Sequence, residues 1–405
     1  MNEHTSSYIN AIGTAVPAYA TPQMQIADFM ADAMQLDDYH RRRLTALYRQ
    51  TRIAQRHSVL PDYGRQPGNF TFYPNTPGLE PFPTVGQRME LYRREAVPLA
   101  LNAVRACFAD RNAGPVQEFN PQQITHLITV SCTGLYAPGP DIELVEALGL
   151  PTTTQRLAIN FMGCYGAFNG LKTADAIVRA DPDSVVLVVC IELCTIHFQK
   201  KAETDHLLSN ALFADGAAAV LIGAKPRPDR SMRLRTFYSD LLPDGRNEMA
   251  WHVADFGFEM TLTSEVPGVI QHGLGRLLSK LLEKSGLTIG DINQYAMHPG
   301  GRKILEVIED QLGLDPAQNQ PAYDVLRQYG NMSSATVLFV LREIWQNQNS
   351  ANGLAEALPG GISTILSCAF GPGLTLESML LELRSEPVLL PALATVSSTA
   401  LAPTD

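Results

Sequence analysis

The sequence contains one order of elements twice, and this repetition constrains the fold more than any other feature. Each copy begins with a short apolar strand that runs into a glycine turn, ITHLITVSCTG from Ile124 and INQYAMHPGG from Ile292. A helix rich in small residues opens 40 residues later at Cys164 and 39 residues later at Asn331. In each copy a buried strand and then a second strand follow the helix. Strands alternating with helices predict a parallel-rich α/β fold, here built from two similar halves.

The 405 residues are enough for about two domains. Residues 1–230 are predicted to form the half that carries Cys164, and residues 231–384 the half that carries the second strand–helix unit. Residues 385–405 are predicted to be a disordered tail, with docking on a neighbouring surface as the alternative. The other local predictions are helices within residues 21–60, a surface loop rich in proline, glycine and aromatic residues over 60–88, and a helix over about 89–110.

Charge and reactive residues exclude several classes of function. The formal net charge of −10 argues against a nucleic-acid partner, because phosphate binding needs a dominant basic face. The N-terminus has no basic stretch followed by an apolar one, so no signal peptide is expected. The longest aliphatic run, VVLVVCI, is too short to cross a membrane. Six cysteines without CxxC pairs and nine histidines without HxxxH spacing predict reduced thiols in a cytoplasmic protein and no bound metal.

Cys164 lies where an apolar strand gives way to a helix, in the segment NFMGCYGAFNG. A helix N-terminus stabilises a thiolate through its free N–H groups. Gly163 and Gly166 allow a tight turn and close approach of a substrate. Cysteine is also among the most commonly buried residues, so the local sequence is equally consistent with an inert core thiol.

Two other residues occupy matching positions in the second half. His298 ends a strand beside a Pro-Gly-Gly turn, and Asn331 opens the helix that mirrors the one carrying Cys164. Taken singly, the histidine is typical of a turn and the asparagine of a helix cap. Related halves would bring all three into one cleft. There the cysteine would accept an acyl group, the histidine would activate the thiol, and histidine and asparagine would donate to a developing oxyanion.

The chain resembles the type III polyketide synthases, the family of chalcone and stilbene synthases, from about residue 8 to about residue 383. Six segments match the motifs of that family in its order and near its spacing: GCYGAFNGLKTADAIV, ALFADGAAAVLIG, SEVPGVI, HPGGRKIL, YGNMSSATVLFVL and FGPGLTLE. The resemblance implies a thiolase-like αβαβα layered fold with two duplicated halves. It also implies a homodimer that binds no metal or prosthetic group and takes coenzyme A thioesters as substrates.

The resemblance further implies the reaction. Cys164 would be acylated by an acyl-CoA starter, and malonyl-CoA would lose carbon dioxide while His298 and Asn331 stabilise the enolate. The carbanion would attack the acyl-cysteine, the cycle would repeat, and the poly-β-keto chain would close into a ring. A condensation that loses carbon dioxide needs no strong external base, so these three residues suffice. The thiolate and the imidazolium are expected to titrate as a pair.

Matched motifs assign residues to the gate and floor of the cavity. Phe213 matches the phenylalanine that stands between the coenzyme A tunnel and the cavity in the family. The second gate position falls on Met260, which is more flexible than phenylalanine and has no ring face. Gly371 and Pro372 match the Gly-Pro-Gly loop that shapes the cavity floor.

The coenzyme A site matches the family less closely. Plant members use spaced basic residues in the N-terminal helix region, and two of these positions fall on Ala46 and Gln50. An arginine run on a helix is also typical of a solvated face. The residues assigned to coenzyme A are Arg43, Arg49, Gly300, Gly301 and Lys303.

Several cavity positions depart from the plant pattern, although Glu192 is retained. Thr133, Ala137 and Cys194 resemble the combination in microbial members that accept long fatty acyl starters, where small side chains open a side tunnel. Each buried methylene contributes roughly 0.8 kcal/mol. The expected starter is therefore a medium- or long-chain acyl-CoA, and the expected product an alkylpyrone or alkylresorcinol. The positions that differ from the plant pattern are Cys132, Thr133, Ala137, Cys194 and His197.

Further positions bear on extension and ring closure. Trp251 falls where chalcone synthases have glycine, and its bulk predicts few extension rounds, ending at a triketide or tetraketide. Aldol closure in stilbene-forming members involves a hydrogen-bonded Glu, Thr and Ser set. Glu192 and Ser333 keep two members of this set, whereas Cys132 replaces the threonine with a weak hydrogen-bonding group. Lactone, Claisen and aldol closure therefore remain alternatives.

Two other functions compete with the iterative synthase. A ketoacyl-carrier-protein synthase III shares the fold and the Cys-His-Asn chemistry but extends its substrate once. A catalytically silent subunit of the same fold, acting as a partner or lipid-binding module, is the alternative from another class. Such subunits usually lose the cysteine or the histidine, and this chain keeps both.

Overall fold

The protein is described by a computed structural model that covers residues 5–112, 119–347 and 362–385. The strands are β1 (Ser7–Ala15), β2 (Tyr19–Pro22), β3 (Gln55–Ser58), β4 (His126–Ser131), β5 (Gln155–Asn160), β6 (Val185–Leu193), β7 (Asp215–Gly223), β8 (Arg230–Leu241), β9 (Met249–Ala254), β10 (Gly257–Leu262), β11 (Gln294–Met297), β12 (Ile362–Gly371) and β13 (Thr375–Ser385). The helices are α1 (Gln23–Ala33), α2 (Asp38–Gln50), α3 (Val85–Asn112), α4 (Pro140–Leu148), α5 (Gly166–Ala180), α6 (Thr204–Leu212), α7 (Val266–Ser285), α8 (Arg302–Leu312), α9 (Gln320–Tyr329) and α10 (Thr336–Asn347).

Nine strands form one mixed sheet in the order β11-β12-β13-β8-β1-β7-β6-β4-β5. At its centre β1 and β8 run antiparallel. Outward from this pair lie β7, β6 and β4 on one side and β13, β12 and β11 on the other, and the last pairing on each side is parallel. The two sides therefore repeat one order of strands and directions, with β5 as an additional parallel strand at one edge. The division into residues 1–230 and 231–384 stays a prediction.

Strands β6 and β7 are buried on both faces, because nearly all of their residues are apolar or small. In β7, Ala218 and Val220 face one core, while Ala219 and Leu221 face the other. Helix α5 packs between β4 and β6 on one side and β13 on the other, and α10 packs between β1 and β11. Helix α3 covers β1, β6 and β7 from outside, and α7 covers β8 and β13. The two sides of the sheet flank α5 and α10, and α3 and α7 lie outside them. This arrangement of five layers confirms the predicted αβαβα fold.

Part of residues 60–88 packs into the core, so the predicted surface loop is partly wrong. The buried carboxylate of Asp62 accepts hydrogen bonds from the backbone N–H groups of Thr71 and Tyr73, at 2.8 and 2.9 Å, and folds the segment back on itself. The buried side chains of Tyr63 and Tyr73 share a hydrogen bond between their hydroxyls. Proline and glycine predict turns, but they do not predict burial. Burial depends on which parts of the tertiary structure lie next to the aromatic side chains.

The remaining local predictions fall as follows. Helices α1 and α2 occupy much of residues 21–60, and β3 follows them. The helix predicted over 89–110 is α3, which begins four residues earlier at Val85. The predicted tail lies outside the described residues, apart from Ser385 at the end of β13. Of the helices in the described ranges, none is both long and apolar enough to cross a bilayer.

Candidate active site

The turn that carries Cys164 is built on a glycine in the left-handed conformation. Gly163, with φ of +77°, begins a short 3-10 helix that ends at Tyr165, and α5 follows at once. A Cβ on Gly163 would lie 2.3 Å from Cδ of Pro372, so only glycine fits there. The turn therefore contacts the loop of Gly371 and Pro372 directly, and Cys164, 4% exposed, is held beside it.

The amide of Asn331 faces the Cys164 thiol. Its Nδ2 lies 3.9 Å from Sγ and donates to the carbonyl oxygen of Gly300 at 3.2 Å. Its Oδ1 accepts from the N–H of Ser333 at 2.9 Å, which fixes the orientation of the amide. Ser333 has φ of +47°, a conformation that residues with side chains rarely adopt. The strained turn at the start of α10 thus presents an N–H donor beside the sulfur, suited to an oxyanion formed there.

His298 approaches the same point from the end of β11. Its backbone N–H donates to Cys368 O at 2.9 Å, which anchors the residue to β12. The ring packs over Gly300, since a Cβ built on that glycine would lie 3.7 Å from Nε2. His298 and Asn331 therefore meet at Gly300. Within the described part of the chain, neither ring nitrogen of His298 has a hydrogen-bond partner, so both are available to a substrate or to the thiol.

Burial sets the protonation preferences of the thiol and the imidazole. It raises the pKa of Cys164 to about 12, although hydrogen bonds from Ser333 and Asn331 act in the opposite direction. It lowers the pKa of His298 to about 3. Each group alone is therefore neutral at physiological pH. The paired titration of thiolate and imidazolium that the sequence resemblance led us to expect stays a prediction.

Glu192 lies behind the catalytic turn and accepts hydrogen bonds on both carboxylate oxygens. Its Oε2 accepts from the backbone N–H of Cys132 at 3.0 Å and from the hydroxyl of Thr133 at 2.9 Å, and Oε1 accepts from the hydroxyl of Ser334. The Glu-Thr-Ser set is thus present with different members. The hydroxyls come from Thr133 and Ser334, whereas the sequence had assigned Ser333 to this set and had placed Cys132 at the threonine position.

Glu192 is expected to make the stability of the protein depend on pH. Burial raises the pKa of its carboxyl from the ordinary value of 4.5 to about 7, despite the three donors. The stabilising contribution of the protonated form is fully present below about pH 4.5 and is lost as the pH rises through about 7, a change of roughly 3 kcal/mol. In Glu192→Gln the decline in the free energy of unfolding over this interval should be smaller. Urea titrations at several pH values measure it, and an unchanged decline would contradict the assignment.

The hairpin of β9 and β10 forms a wall against this network. Trp251 donates from Nε1 to the carbonyl oxygen of Cys132 at 2.6 Å, and Met260 lies opposite Trp251 across the hairpin. His197 donates from Nε2 to Thr133 O at 2.7 Å and accepts from the N–H of Phe258 at 3.0 Å. The Phe258 ring stacks on His197 with centroids 4.3 Å apart. Burial lowers the pKa of His197 to about 3, so it is a neutral wall residue.

The wall encloses a narrow cavity, called here the inner cavity. Its volume is about 580 Å³, including the part that opens to solvent. Five of the predicted cavity residues line it, namely Cys194, His197, Phe213, Trp251 and Met260. Ala137 does not line it, because this residue is exposed on the surface of the chain. Phe258 lines it as well and was missed, although its position two residues before Met260 on one strand face was a usable signal.

A second opening, called here the entrance groove, lies on the other side of Phe213. Among the residues assigned to coenzyme A, Gly300, Gly301 and Lys303 line this groove. Arg43 and Arg49 do not, and the Arg43 guanidinium lies 5.8 Å from the ring of Tyr39. Gln50, which falls on one of the family's coenzyme A positions, also lines the groove, as do Leu212 and Arg302, which the sequence reasoning missed. A neighbouring motif could have indicated Arg302, because this residue directly follows the Pro-Gly-Gly turn.

Phe213 stands between the two openings. Leu212 lines the entrance groove and Phe213 lines the inner cavity. Phe213 also forms an isolated parallel bridge with Asn331, in which Asn331 N–H donates to Leu212 O at 2.9 Å and Ala214 N–H donates to Asn331 O at 2.8 Å. The gate position and the amide donor are therefore joined through their backbones. In the described ranges, no three His, Cys, Asp or Glu side chains cluster so as to hold a metal ion.

Comparison with known proteins agrees with this geometry. Residues 2–226 match the N-terminal domain of chalcone and stilbene synthases, and residues 233–385 match the C-terminal domain. The chain is 32% identical over 383 residues to the alpha-pyrone synthesis polyketide synthase-like Pks18 of Mycobacterium tuberculosis, covering 94% of this chain and 92% of that protein. It is also 32% identical over 379 residues to type III polyketide synthase A of Arabidopsis thaliana, covering 92% and 91%.

A solved structure extends the match to three dimensions. The crystal structure of the C-terminal type III polyketide synthase domain of Steely1, a type I/III hybrid from Dictyostelium, superposes with a TM-score of 0.82 and 28% identity. The match covers 93% of this chain and 99% of that domain. Fold, site geometry and both family domains agree: the chain belongs to the chalcone and stilbene synthase family and is a type III polyketide synthase.

Proposed function

We propose that this enzyme extends a medium- or long-chain fatty acyl-CoA with malonyl-CoA by repeated decarboxylative condensation. The observation that carries the chemistry is the buried Asn331 amide 3.9 Å from the Cys164 thiol. A site of this kind holds an acyl group on sulfur with its carbonyl oxygen beside a donor. It needs no metal or prosthetic group, since coenzyme A thioesters are the substrates.

The steps follow from the three residues. The Cys164 proton passes to His298 while the sulfur attacks the thioester carbon, and coenzyme A leaves as a thiol. Malonyl-CoA then loses carbon dioxide, and the electron pair of the broken bond forms an enolate whose oxygen accepts from Asn331 and His298. The enolate carbon attacks the acyl-cysteine and displaces the sulfur. The resulting β-ketoacyl-CoA reacylates Cys164 for the next round.

The inner cavity supports a fatty acyl starter. Its narrow space is bordered by Met30 and Met260, whose flexible side chains adapt to an inserted alkyl chain, and by the small Cys194. Trp251 limits the room for extension, which favours a triketide or tetraketide. The Mycobacterium tuberculosis relative is described as an alpha-pyrone synthesis polyketide synthase-like protein, which favours an alkylpyrone product over an alkylresorcinol.

The entrance groove supports coenzyme A binding. Arg302 and Lys303 line it at the first turn of α8, beside Gly300 and Gly301. A helix N-terminus attracts phosphate through its free N–H groups and its dipole, and the two cations add to that attraction. We place the coenzyme A phosphates here and not at Arg43 or Arg49.

The proposal includes a cytoplasmic homodimer. Strand β5 lies at the edge of the main sheet, and its Leu157 is 44% exposed, as is Leu135 in the loop that carries Ala137. Pairing with a second copy would cover this exposed edge and both leucines. In the described ranges all six cysteines are free thiols, which suits a reducing compartment.

A starter screen tests the proposal. Purified protein is given malonyl-CoA with acyl-CoA starters from acetyl to stearoyl, and the products are identified by mass spectrometry. Cyclised products with two or more malonate-derived units from fatty starters are expected. Turnover of small or aromatic starters alone would contradict the fatty acyl assignment. A single linear extension would favour the ketoacyl-carrier-protein synthase III reaction.

The size of residue 194 is expected to set the preferred starter. Cys194→Phe fills part of the inner cavity and should move the optimum toward shorter chains, lowering kcat/KM for the longest starters by at least about tenfold. Cys194→Ser, which keeps the volume, should leave the optimum in place. An unchanged optimum in Cys194→Phe would show that the alkyl chain lies elsewhere.

A further inference from the structure

Helix α6 separates the entrance groove from the inner cavity. Leu208 and Leu212 line the groove, whereas Ser209 and Phe213 line the cavity. The last carbonyl groups of a helix have no hydrogen-bond partners within the helix, so other segments must supply donors to them. Those donors set the position of the residue that follows the helix, which is the gate residue Phe213.

Four donors from separate segments hold this end of α6, and Asn331 contributes one of them through its backbone. The loss of any one donor would leave a buried carbonyl oxygen without a partner. The pairs are Tyr48 Oη with Asn210 O at 3.1 Å, Gln23 Nε2 with Ala211 O at 2.8 Å, Asn331 N–H with Leu212 O at 2.9 Å, and Arg56 Nη1 with Phe213 O.

Arg56 contacts both sides of the bridge between Phe213 and Asn331. Its guanidinium donates to Phe213 O and, through Nε, to Gln23 Oε1 at 2.8 Å, so it also orients a second donor to α6. Its aliphatic part packs on Gly330, where an added Cβ would lie 3.0 Å from Arg56 Cγ. Gly330 has φ of +74° and directly precedes Asn331. Arg56 is 3% exposed, so these contacts are shielded from water.

We propose that Arg56 is a positioning residue of this enzyme, which fixes the gate Phe213 and the amide of Asn331 in one arrangement. The inference rests on the proposed function of those two residues. Arg56 borders the inner cavity, but its guanidinium donates to Gln23 and Phe213 and its aliphatic part packs on Gly330, so we assign it a role through these residues. A shift of about 1 Å in a group at the reacting centre can lower a rate by about 100-fold.

Substitution of Arg56 tests the inference through a split between kcat and KM. Arg56→Met keeps the aliphatic packing and removes the donors. We expect kcat to fall about 100-fold while KM for the acyl-CoA starter changes by less than about threefold. Arg56→Lys can still donate to Phe213 O and should recover part of the lost kcat. Retention of wild-type kcat in Arg56→Met would overturn the proposal.

Arg88 provides a matched control. It is fully buried, donates to two backbone carbonyls, those of Pro83 and Ile196, and lies over an aromatic ring, but it does not contact α6. Arg88→Met should lower the melting temperature about as much as Arg56→Met while kcat stays within about threefold of the wild type. An equal loss of kcat in both variants would mean that Arg56 acts only on stability.

A second readout separates this inference from the proposed function. Cys164 is 4% exposed, and a loosened gate should expose it. The rate of its alkylation by iodoacetamide, followed by peptide mass spectrometry, should rise at least about tenfold in Arg56→Met and stay unchanged in Arg88→Met. This result is expected even if no acyl-CoA starter is turned over. No change in alkylation together with wild-type kcat would overturn the positioning role, whereas an inactive wild type would overturn only the proposed substrate.

Discussion

Replacement of Cys164 by alanine is expected to abolish product formation, with kcat lowered by at least about 10⁴-fold. Alanine has no sulfur to carry the acyl group. Decarboxylation of malonyl-CoA should persist at a reduced rate, because His298 and Asn331 still stabilise the enolate. Product formation is measured by mass spectrometry, and carbon dioxide release by trapping from labelled malonyl-CoA.

The control for this experiment is Cys107→Ala. Cys107 is also fully buried, but it belongs to α3 on the outer face of the sheet. Its loss should cost stability and leave the product pattern unchanged. If Cys164→Ala retained polyketide formation, the acyl-cysteine mechanism would be wrong and another acyl carrier would have to be sought.

Replacement of Gly163 by alanine is expected to destabilise the protein and inactivate the site. The residue has φ of +77°, and an added Cβ would lie 2.3 Å from the Pro372 ring. Left-handed strain costs about 1–2 kcal/mol and forced repacking about 1–3 kcal/mol, so the free energy of unfolding should fall by roughly 2–5 kcal/mol. The turn must move to relieve the contact, which displaces Cys164 and should lower kcat about 100-fold. Urea denaturation and steady-state kinetics measure the two effects.

The variant Gly149→Ala is a control that separates the cost of backbone strain from the cost of a steric contact. Gly149 has φ of +63° at the end of α4, and a Cβ there would meet no atom within 4 Å. Gly149→Ala should therefore cost only the strain of about 1–2 kcal/mol and leave kcat unchanged. Equal losses of stability in the two variants would show that Pro372 yields readily, and that the contact between the turn and its loop does not position Cys164.

The layered fold was predictable because its signals are local. Strand, glycine turn and small-residue helix follow one another within about forty residues in each half, and the order of the sheet repeats in the same way. The positions of Cys164 and Asn331 followed from the same pattern, since a helix start after a strand end faces one edge of the sheet. Their catalytic roles and that of His298 stay predictions, which the variants above test.

Other side-chain contacts of the site could not be predicted from the sequence. Ser334, and not Ser333, donates to Glu192, and the backbone of Ser333 is in the left-handed conformation with φ of +47°. Arg43 was assigned to coenzyme A by its position in a motif, yet it lies over Tyr39 and away from the entrance groove. Ala137 was assigned to the cavity and lies at the surface of the single chain.

Short sequence motifs identified the family by resemblance, and the order of strands, glycine turns and helices indicated two related halves and the candidate nucleophile. These properties depend on neighbours in sequence, where the choice of residue restricts backbone conformation directly. The hydrogen bond between Arg56 and Phe213, 157 residues apart, depends on the tertiary structure, which brings the end of α6 next to β3. The partners of a buried side chain come from segments that are distant in sequence and close in the fold. A local sequence pattern therefore does not predict them.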